Sequence, residues 1–261
     1  MNYLKVCFIV CLCTLCMTAC NPSPSPDSTS ENKPATNSEL PTQSTEKEEP
    51  LVPSPSLEVV DTVFYTSDYA DGCIYMAARV KNTGNVIIGM DQWNCSFDML
   101  DADGALVFHA DYPEIAPIVV QPDEYGYLSA LILDDAVDLT ACVQVQCNVS
   151  WDNLLAVPFR IPMENISPKK YSGSFYAFQG MLVNDKEYDV ADITPVIVLL
   201  DSKTDALLGV NIGRVVDSIP AGSRIGTKGD SSAPIPLSAF NFDEVNPKIE
   251  AFGTYSLPLG E

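Results

Sequence analysis

Apolar and polar residues alternate along most of the chain after residue 56, and helical periodicity is nearly absent there. An alternation with a period of two places the apolar side chains of a β-strand on one face and its polar side chains on the other. The clearest runs have the apolar positions Ile74, Met76, Ala78 and Val80; Trp93, Cys95, Phe97 and Met99; and Val143, Val145, Cys147, Val149 and Trp151. Each run predicts a strand with one buried face and one face toward water.

Turn-forming residues separate these predicted strands. Segments rich in Asn, Asp, Gly or Pro lie at residues 82–85, 101–104 and 121–124. Short strands at even spacing, joined by such turns, predict an all-β fold of the antiparallel sandwich type. About 205 residues follow the N-terminal segments, which is enough for one large β domain or two small ones.

The same order of segments occurs twice in the chain. In the first half a strand at 78–82 is followed by an apolar segment at 97–101, a short strand at 105–108 and a turn at Pro122. The corresponding positions of the second half are 180–184, 197–201, 206–209 and Pro220. This order predicts two copies of one unit, although small β-sandwiches share such patterns without being copies.

Only the segment 249–257 remains for the last strands of the second copy, whereas the first copy continues through residues 154–161. The second copy therefore either borrows a strand from the first or leaves a sheet edge open. An open edge would allow a partner to add a strand, which is one mechanism for an interaction module.

The two apolar segments also carry a family resemblance. The matching positions are Phe97, Met99, Leu100 and Asp101 and, more loosely, Ile197, Leu199, Leu200 and Asp201. They resemble the motif of the FxLYD-type domains of bacterial surface proteins, with Met in place of Leu and Leu in place of Tyr. The resemblance implies small immunoglobulin-like sandwiches in an extracytoplasmic setting, and it implies no reaction.

The expected fold is thus all-β, with two tandem immunoglobulin-like antiparallel β-sandwiches at residues 56–163 and 170–261. Pro, Asn, Ser and Lys are expected to interrupt the strands near residues 162–170, which places the domain boundary there.

The N-terminus has the form of a signal sequence. Lys5 precedes an apolar stretch that ends at Met17, and the small residues Thr18 and Ala19 lead to Cys20. About a dozen apolar residues fit a signal sequence and are too few to span a membrane. The segment resembles a bacterial lipoprotein signal, although Met17 stands where Leu is commoner. The resemblance implies that residues 1–19 are removed and that Cys20 is lipidated; an ordinary secretory signal or a short uncleaved anchor are the alternatives.

Residues 20–55 are rich in Pro, Ser, Thr and Glu and contain almost no large apolar side chains. Such a segment cannot bury enough surface to offset its ordering entropy, so we predict a disordered tether. It would hold a domain away from the membrane, or it is a linker without a tuned length.

The charge of the chain limits its partners. The sequence has 14 Lys and Arg against 35 Asp and Glu, a formal net charge of −21. This acidity argues against nucleic acid and against electrostatic attachment to anionic lipid. It permits cationic ligands or Ca²⁺. After the leader, no further stretch is long and apolar enough to span a membrane.

Four cysteines follow the tether, namely Cys73, Cys95, Cys142 and Cys147. By parity Cys95 and Cys147 both point into the predicted core, on strands that would be neighbours in an immunoglobulin-like sheet, so this pair is the expected disulfide if one forms. The alternative is that the cysteines are buried thiols that pack as small apolar residues. The sequence lacks a Cys-x-x-Cys pair in this region, which argues against zinc.

Candidates for chemistry are few. His109 is the only histidine, and we expect it at a solvent-facing strand edge; a hydrolase would need a pocket that joins it to a carboxylate and a hydroxyl. Residues 101–104 predict a hairpin turn rather than a calcium loop. Asp134, Asp135 and Asp138 predict a solvated acidic turn or a weak cation site.

Four tyrosines, Tyr65, Tyr69, Tyr125 and Tyr127, predict either a cover for a sheet face or a stacking surface for sugar or peptide.

The sequence therefore predicts a non-enzymatic module without cofactor, catalytic residue or metal. It would sit on the outer face of the cell membrane through the lipid on Cys20, and bind a protein or peptide at the envelope or support envelope assembly. A Ca²⁺-dependent adhesin-like module and an envelope hydrolase are the alternative functions.

Overall fold

The computed structural model describes residues 52–66, 73–133, 141–152, 156–171, 174–227 and 231–258. These ranges form a nearly all-β structure of several antiparallel sheets, which confirms the prediction of an all-β fold. The leader, Cys20 and the tether up to residue 51 lie outside the described residues, as do Tyr69, Asp134, Asp135 and Asp138.

Within the described residues, the strands of the first half are β1 (Leu57–Thr66), β2 (Cys73–Asn82), β3 (Ile88–Met90), β4 (Ser96–Leu100), β5 (Leu106–Asp111), β6 (Glu114–Ala116), β7 (Val119–Val120), β8 (Tyr125–Leu133), β9 (Gln144–Asn148) and β10 (Trp151–Asp152). The strands and the helical turn described in the second half are β11 (Ala156–Tyr171), β12 (Phe175–Val183), β13 (Val190–Leu200), β14 (Leu207–Ile212), β15 (Val216–Ile219), β16 (Arg224–Thr227), β17 (Ile235–Pro236), α1 (Phe242–Val245) and β18 (Lys248–Pro258).

The first half is built from a four-stranded sheet and a three-stranded sheet. Their strand orders are β1-β2-β8-β6 and β5-β4-β9, and a small sheet β10-β3-β7 completes this half. One core cluster joins the two main sheets, with Ile74, Met76, Phe97, Met99 and Leu128 fully buried. The alternation read from the sequence therefore gives the correct buried face on β2 and β4.

The second half forms a sheet with the order β14-β13-β18-β11-β12-β16. Strand β11 changes partner midway along its length: residues 156–162 pair with β18, and residues 163–171 pair with β12. A register shift between Glu164 and Ser167 and a positive φ of 55° at Asn165 follow this change of partner.

Strand β11 decides between the two alternatives for the second half. Its first segment lies within residues 56–163, the predicted first copy, and pairs with β18, so the borrowed strand is the alternative that the structure supports and β18 has no open edge. The prediction of strand addition at that edge is therefore wrong. Residues 162–170 are also not interrupted: the Pro, Asn, Ser and Lys residues lie within β11, because a bulge absorbs their irregular backbone.

The two halves pack against each other, and residues 50–261 form one compact unit. Strand β2 is buried on both faces: Ile74 and Met76 face the first core, while Tyr75 and Ala77 belong to the core of the second half. The Tyr75 hydroxyl donates to the carbonyl of Val210 and accepts from its N–H, both at 2.7 Å. Because β14 is an edge strand, these bonds satisfy backbone groups that would otherwise be buried without partners.

Equivalent side chains make equivalent contacts in the two halves. Asn82 is fully buried, donates to the carbonyls of Val86 and Val120, and accepts from the N–H of Gly84. Asn184 is likewise fully buried, and its partners are the carbonyls of Tyr188, Ile219 and Pro220 and the N–H of Lys186. In both halves the amide joins the end of a strand to two loops, so the order of segments seen in the sequence reflects matching local structure.

Candidate functional site

The hairpin of β4 and β5 presents the most distinctive surface of the first half. Its turn is closed by Asp101, whose side-chain oxygen accepts from the N–H groups of Asp103 and Ala105 at 2.9 and 2.8 Å. Gly104 completes the turn with a φ of 79°, which a glycine adopts without strain. The predicted hairpin turn is confirmed, and one carboxylate oxygen of Asp101 already accepts two hydrogen bonds from the backbone of the turn.

A row of polar side chains crosses the outer face of the sheet β5-β4-β9. We call it the polar face; its members are Ser96, Asp98, His109, Asp111, Gln146 and Asn148. The amide of Asn148 donates to Asp98 at 2.6 Å and to Ser96 at 3.2 Å, and Gln146 donates to Asn148 at 3.3 Å. These bonds join β4 and β9 and fix the side chains relative to one another.

His109 lies between two carboxylates of the polar face. Its Nδ1 is 2.5 Å from Asp98 and its Nε2 is 3.0 Å from Asp111, and 44% of its side chain is exposed. The hydrogen bond with Asp98 raises the pKa of His109, and the bond with Asp111 adds to this effect. For Asp98, burial acts to raise the pKa, but the hydrogen bonds from His109 and Asn148 outweigh it and lower the pKa. Because both ring nitrogens are engaged, His109 in this arrangement has no free nitrogen to accept a proton from a hydroxyl.

Two exposed aromatic rings lie at the end of this hairpin. Trp93 and Tyr112 are 75% and 56% exposed, and their ring centroids are 5.4 Å apart at an interplanar angle of 70°. We call them the aromatic pair. The sequence placed Trp93 in a buried row with Cys95, and this prediction is wrong for Trp93: it lies in a 3₁₀ turn at residues 92–94 that precedes β4.

Local contacts hold the aromatic pair in place. Asp91 caps the 3₁₀ turn by accepting from the N–H of Trp93 at 3.0 Å, and Gln92 donates to the carbonyl of Pro113 at 3.1 Å. Tyr112 has a φ of 55°, a conformation that is rare for a bulky residue and is found mostly at turns and functional sites. Two sequence signals mark these boundaries: Asp91, a cap that precedes the 3₁₀ turn before β4, and Pro113, which follows Tyr112 after the end of β5.

The second half contains the same hairpin with a different outer face. In β4 and β5 Ser96 pairs with Asp111 and Asp98 pairs with His109; at the matching register of β13 and β14 the pairs are Val196–Ile212 and Val198–Val210. The four residues of the second hairpin are at most 4% exposed and belong to the core cluster that also contains Tyr127 of the first half. The face that is polar in one hairpin is therefore buried against the other half of the molecule in its counterpart.

The predicted tyrosine surface is not an exposed surface. Tyr127 is 2% exposed and Tyr65 stacks on Tyr75 with centroids 6.2 Å apart, so both are interior side chains. The guanidinium of Arg79 lies over the ring of Tyr125, 5.1 Å from the ring centroid. These three tyrosines cover sheet faces between the two halves, which was the other interpretation of the cluster.

Cys95, directly before β4, and Cys147, on the neighbouring strand β9, are both buried, as the parity argument expected, and the structure holds both as thiols. The Cys95 thiol donates to the carbonyl of Ser150 at 3.6 Å and accepts from its N–H at 3.3 Å. Burial raises the pKa of both thiols. Their pairing stays a prediction, and counting thiols in the protein secreted under oxidising conditions tests it.

A small cleft of about 70 Å³ lies between the halves, lined by residues that include Ile118, Pro158, Asp192 and Tyr255. It has room for a few water molecules and not for an organic ligand, because ligand pockets measure roughly 300–1,000 Å³. Within the described ranges, no group of three or more His, Cys, Asp or Glu side chains could hold a metal ion. None of the helical turns in these ranges has the length and apolar character of a membrane-spanning helix.

No protein-family model matches this chain, and no curated protein matches it.

Proposed function

We propose that this chain is a lipid-anchored, extracytoplasmic protein in which two tandem immunoglobulin-like sandwiches form a non-enzymatic binding module. The sequence pattern that ends at Cys20 supports the anchor, and the Pro- and Ser-rich segment after it supports a tether between the membrane and the module. The repeated strand order and the matching contacts of Asn82 and Asn184 support the two related units.

The polar face and the adjoining aromatic pair together are the observation that carries the binding role. A tryptophan that is 75% exposed and a tyrosine held at a positive φ contribute little to the cores of the molecule. Solvent-exposed aromatic side chains on a rigid element are typical of recognition sites. The hydrogen-bonded row beside them is ordered before any ligand arrives, which lowers the entropic cost of binding.

The arrangement supports binding rather than catalysis. Both nitrogens of His109 contact carboxylates, and Ser96, the hydroxyl on the same face, is 7% exposed and bonded to Asn148. For the Ca²⁺-dependent alternative, Asp101 uses a carboxylate oxygen to close its own turn. Within the described residues, neither alternative function has an observation in its favour.

The anchor is tested by replacing Cys20 with Ser in the full-length protein. We expect the parent in the membrane pellet and Cys20→Ser in the soluble extracytoplasmic fraction, because the thiol that carries the lipid is lost. Release of both proteins, or retention of both, would contradict the lipid anchor.

The binding role is tested with envelopes from the cells that make the protein. The mature chain with Cys20→Ser should sediment with these envelopes, and Trp93→Ala should reduce the bound fraction. Tyr188→Ala is the matched control, because Tyr188 is a 45% exposed tyrosine of the second half. If the mature chain fails to sediment, or if both variants bind as the parent does, the proposed binding face is wrong.

A further inference from the structure

The composition of the exposed face limits the class of ligand. The polar face contains two carboxylates, and the whole chain has a formal net charge of −21. A polyanion such as nucleic acid or a phosphate polymer would therefore be repelled. The cleft between the halves holds only about 70 Å³, which is too small for a drug-sized apolar molecule.

The comparison of the two hairpins argues against a protein sheet as the partner. Where this hairpin surface does pack on a protein sheet, in the second half, it carries Val196, Val198, Val210 and Ile212. The corresponding surface of the first half carries Ser, Asp, His and Asp. The centres of protein–protein interfaces are depleted of charged residues, so this polar row is poorly suited to form one.

The remaining chemistry matches a sugar. The C–H groups on one side of a pyranose ring are apolar and pack on an aromatic ring, while its hydroxyls both donate and accept hydrogen bonds. The aromatic pair supplies two rings at different angles. Asp111, which directly precedes Tyr112 in the chain, has a 56% exposed carboxylate, of which one oxygen contacts His109. Gln146, whose amide makes one bond to Asn148, adds a further N–H and a carbonyl oxygen along the same face.

We propose that the aromatic pair and the polar face bind a neutral pyranose glycan, with Trp93 and Tyr112 stacking on sugar rings and Asp111 accepting from hydroxyls. This inference rests on the proposed binding function and names its ligand class. The face is open and spans three strands, so the ligand is a chain of sugars that lies across the sheet rather than a single sugar enclosed in a pocket.

Two oligosaccharides serve as probes: chitohexaose, whose sugars are N-acetylated, and cellohexaose, whose sugars are plain hexoses. The sequence contains two tryptophans, so Trp151→Phe leaves Trp93 as the only tryptophan emitter. We expect at least one probe to shift the Trp93 emission to shorter wavelength, and calorimetry on the parent chain to show the same affinity. The probe that binds distinguishes amino-sugar from hexose glycans.

Tyr112→Gly separates binding from folding. Glycine adopts the φ of 55° at this position without strain, so the variant should melt at or above the temperature of the parent. A contact with one aromatic ring changes affinity by roughly two- to tenfold, so Tyr112→Gly and Trp93→Ala should each weaken glycan binding by at least about twofold. Tyr188→Ala should leave it unchanged.

Envelopes treated with protease distinguish failure of this inference from failure of the proposed function. Binding that survives protease and is competed by either oligosaccharide supports the glycan. If neither oligosaccharide binds and protease abolishes sedimentation, the glycan is refuted and a protein partner of the same module remains. If untreated envelopes do not bind the chain, both proposals fail.

Discussion

Glu114 places a carboxyl group between the two halves, and its substitution gives a stability change whose sign depends on pH. Glu114 begins β6, and one of its oxygens accepts from the hydroxyl of Ser232 in the second half. The other oxygen is buried without a hydrogen-bond partner among the described residues. Burial raises the pKa of Glu114 from 4.5 to about 7, and hydrogen bonds from Ser231 and Ser232 offset only part of this rise.

The direction of the effect follows from proton linkage. Because the pKa is higher in the folded state than in the unfolded state, the folded state binds more protons between pH 4.5 and about 7. The ionised carboxylate therefore destabilises the fold, and this destabilisation develops as the pH rises through that range and is complete above it. At about 1.4 kcal/mol for each tenfold change in proton affinity, the full shift would correspond to about 3.4 kcal/mol. Partial exposure of the side chain screens the charge, so we expect about 1–2 kcal/mol.

Glu114→Gln removes this titration while it keeps the shape of the side chain. At pH 8 the variant should be more stable than the parent by about 1–2 kcal/mol, and at pH 4.5 the two should be equal within about 0.5 kcal/mol. Urea denaturation at both values measures the difference, and other titrating groups cancel between parent and variant. Glu58→Gln, at an exposed carboxylate of β1, is the matched control for the exchange of Glu for Gln itself. A Glu114→Gln difference of the same size at both pH values would refute the reasoning.

Three further predictions concern contacts within and between the halves. Tyr75→Phe should lower the free energy of unfolding by about 1–3 kcal/mol in urea, because the Val210 N–H and carbonyl lose a buried partner; an unchanged midpoint would contradict the contact. Asn184→Asp keeps the volume of the side chain and removes the donors to three carbonyls, so it should lower the free energy of unfolding in urea by at least about 2 kcal/mol. An unchanged free energy of unfolding would contradict the role of Asn184. The pKa of His109, measured by NMR, should lie above 6.5 and fall in Asp98→Asn; a value that does not respond would mean that the pair does not form in solution.

Local alternation in the sequence identified the apolar core positions of β2 and β4, whereas Val143, expected in the buried row of β9, is 47% exposed. Ile74 and Met76 were placed correctly because their neighbours in space come from the same half. Tyr75 was not assigned to any core, since its burial depends on β14, more than a hundred residues further along the chain. The sequence pattern thus predicts that the second face of β2 meets solvent, but this face is buried because the second half packs on it.

The strand boundaries failed where turn chemistry and strand propensity compete. Trp93 continues the apolar alternation of β4 in the sequence, but the Asp91 cap starts a 3₁₀ turn at residues 92–94, so Trp93 lies outside the strand. Residues 162–170 contain prolines that normally mark a break, and β11 tolerates them because it changes its partner strand there. Neither outcome follows from residue preference alone.

The contrast between the two hairpins shows how the location of a site can be inferred from a repeated chain. If both hairpins had kept the same outer face, both would be buried or both would be free. Instead, Ile197 to Leu200 form an uninterrupted apolar run, which is typical of a strand buried on both faces, while Phe97 to Leu100 include Asp98 on the side that meets water. Some equivalent positions are apolar in one hairpin and polar in the other. At these positions the side chain is buried by packing in one half only. In this chain these positions belong to the polar face, and the exposed aromatic pair follows at the end of the same hairpin.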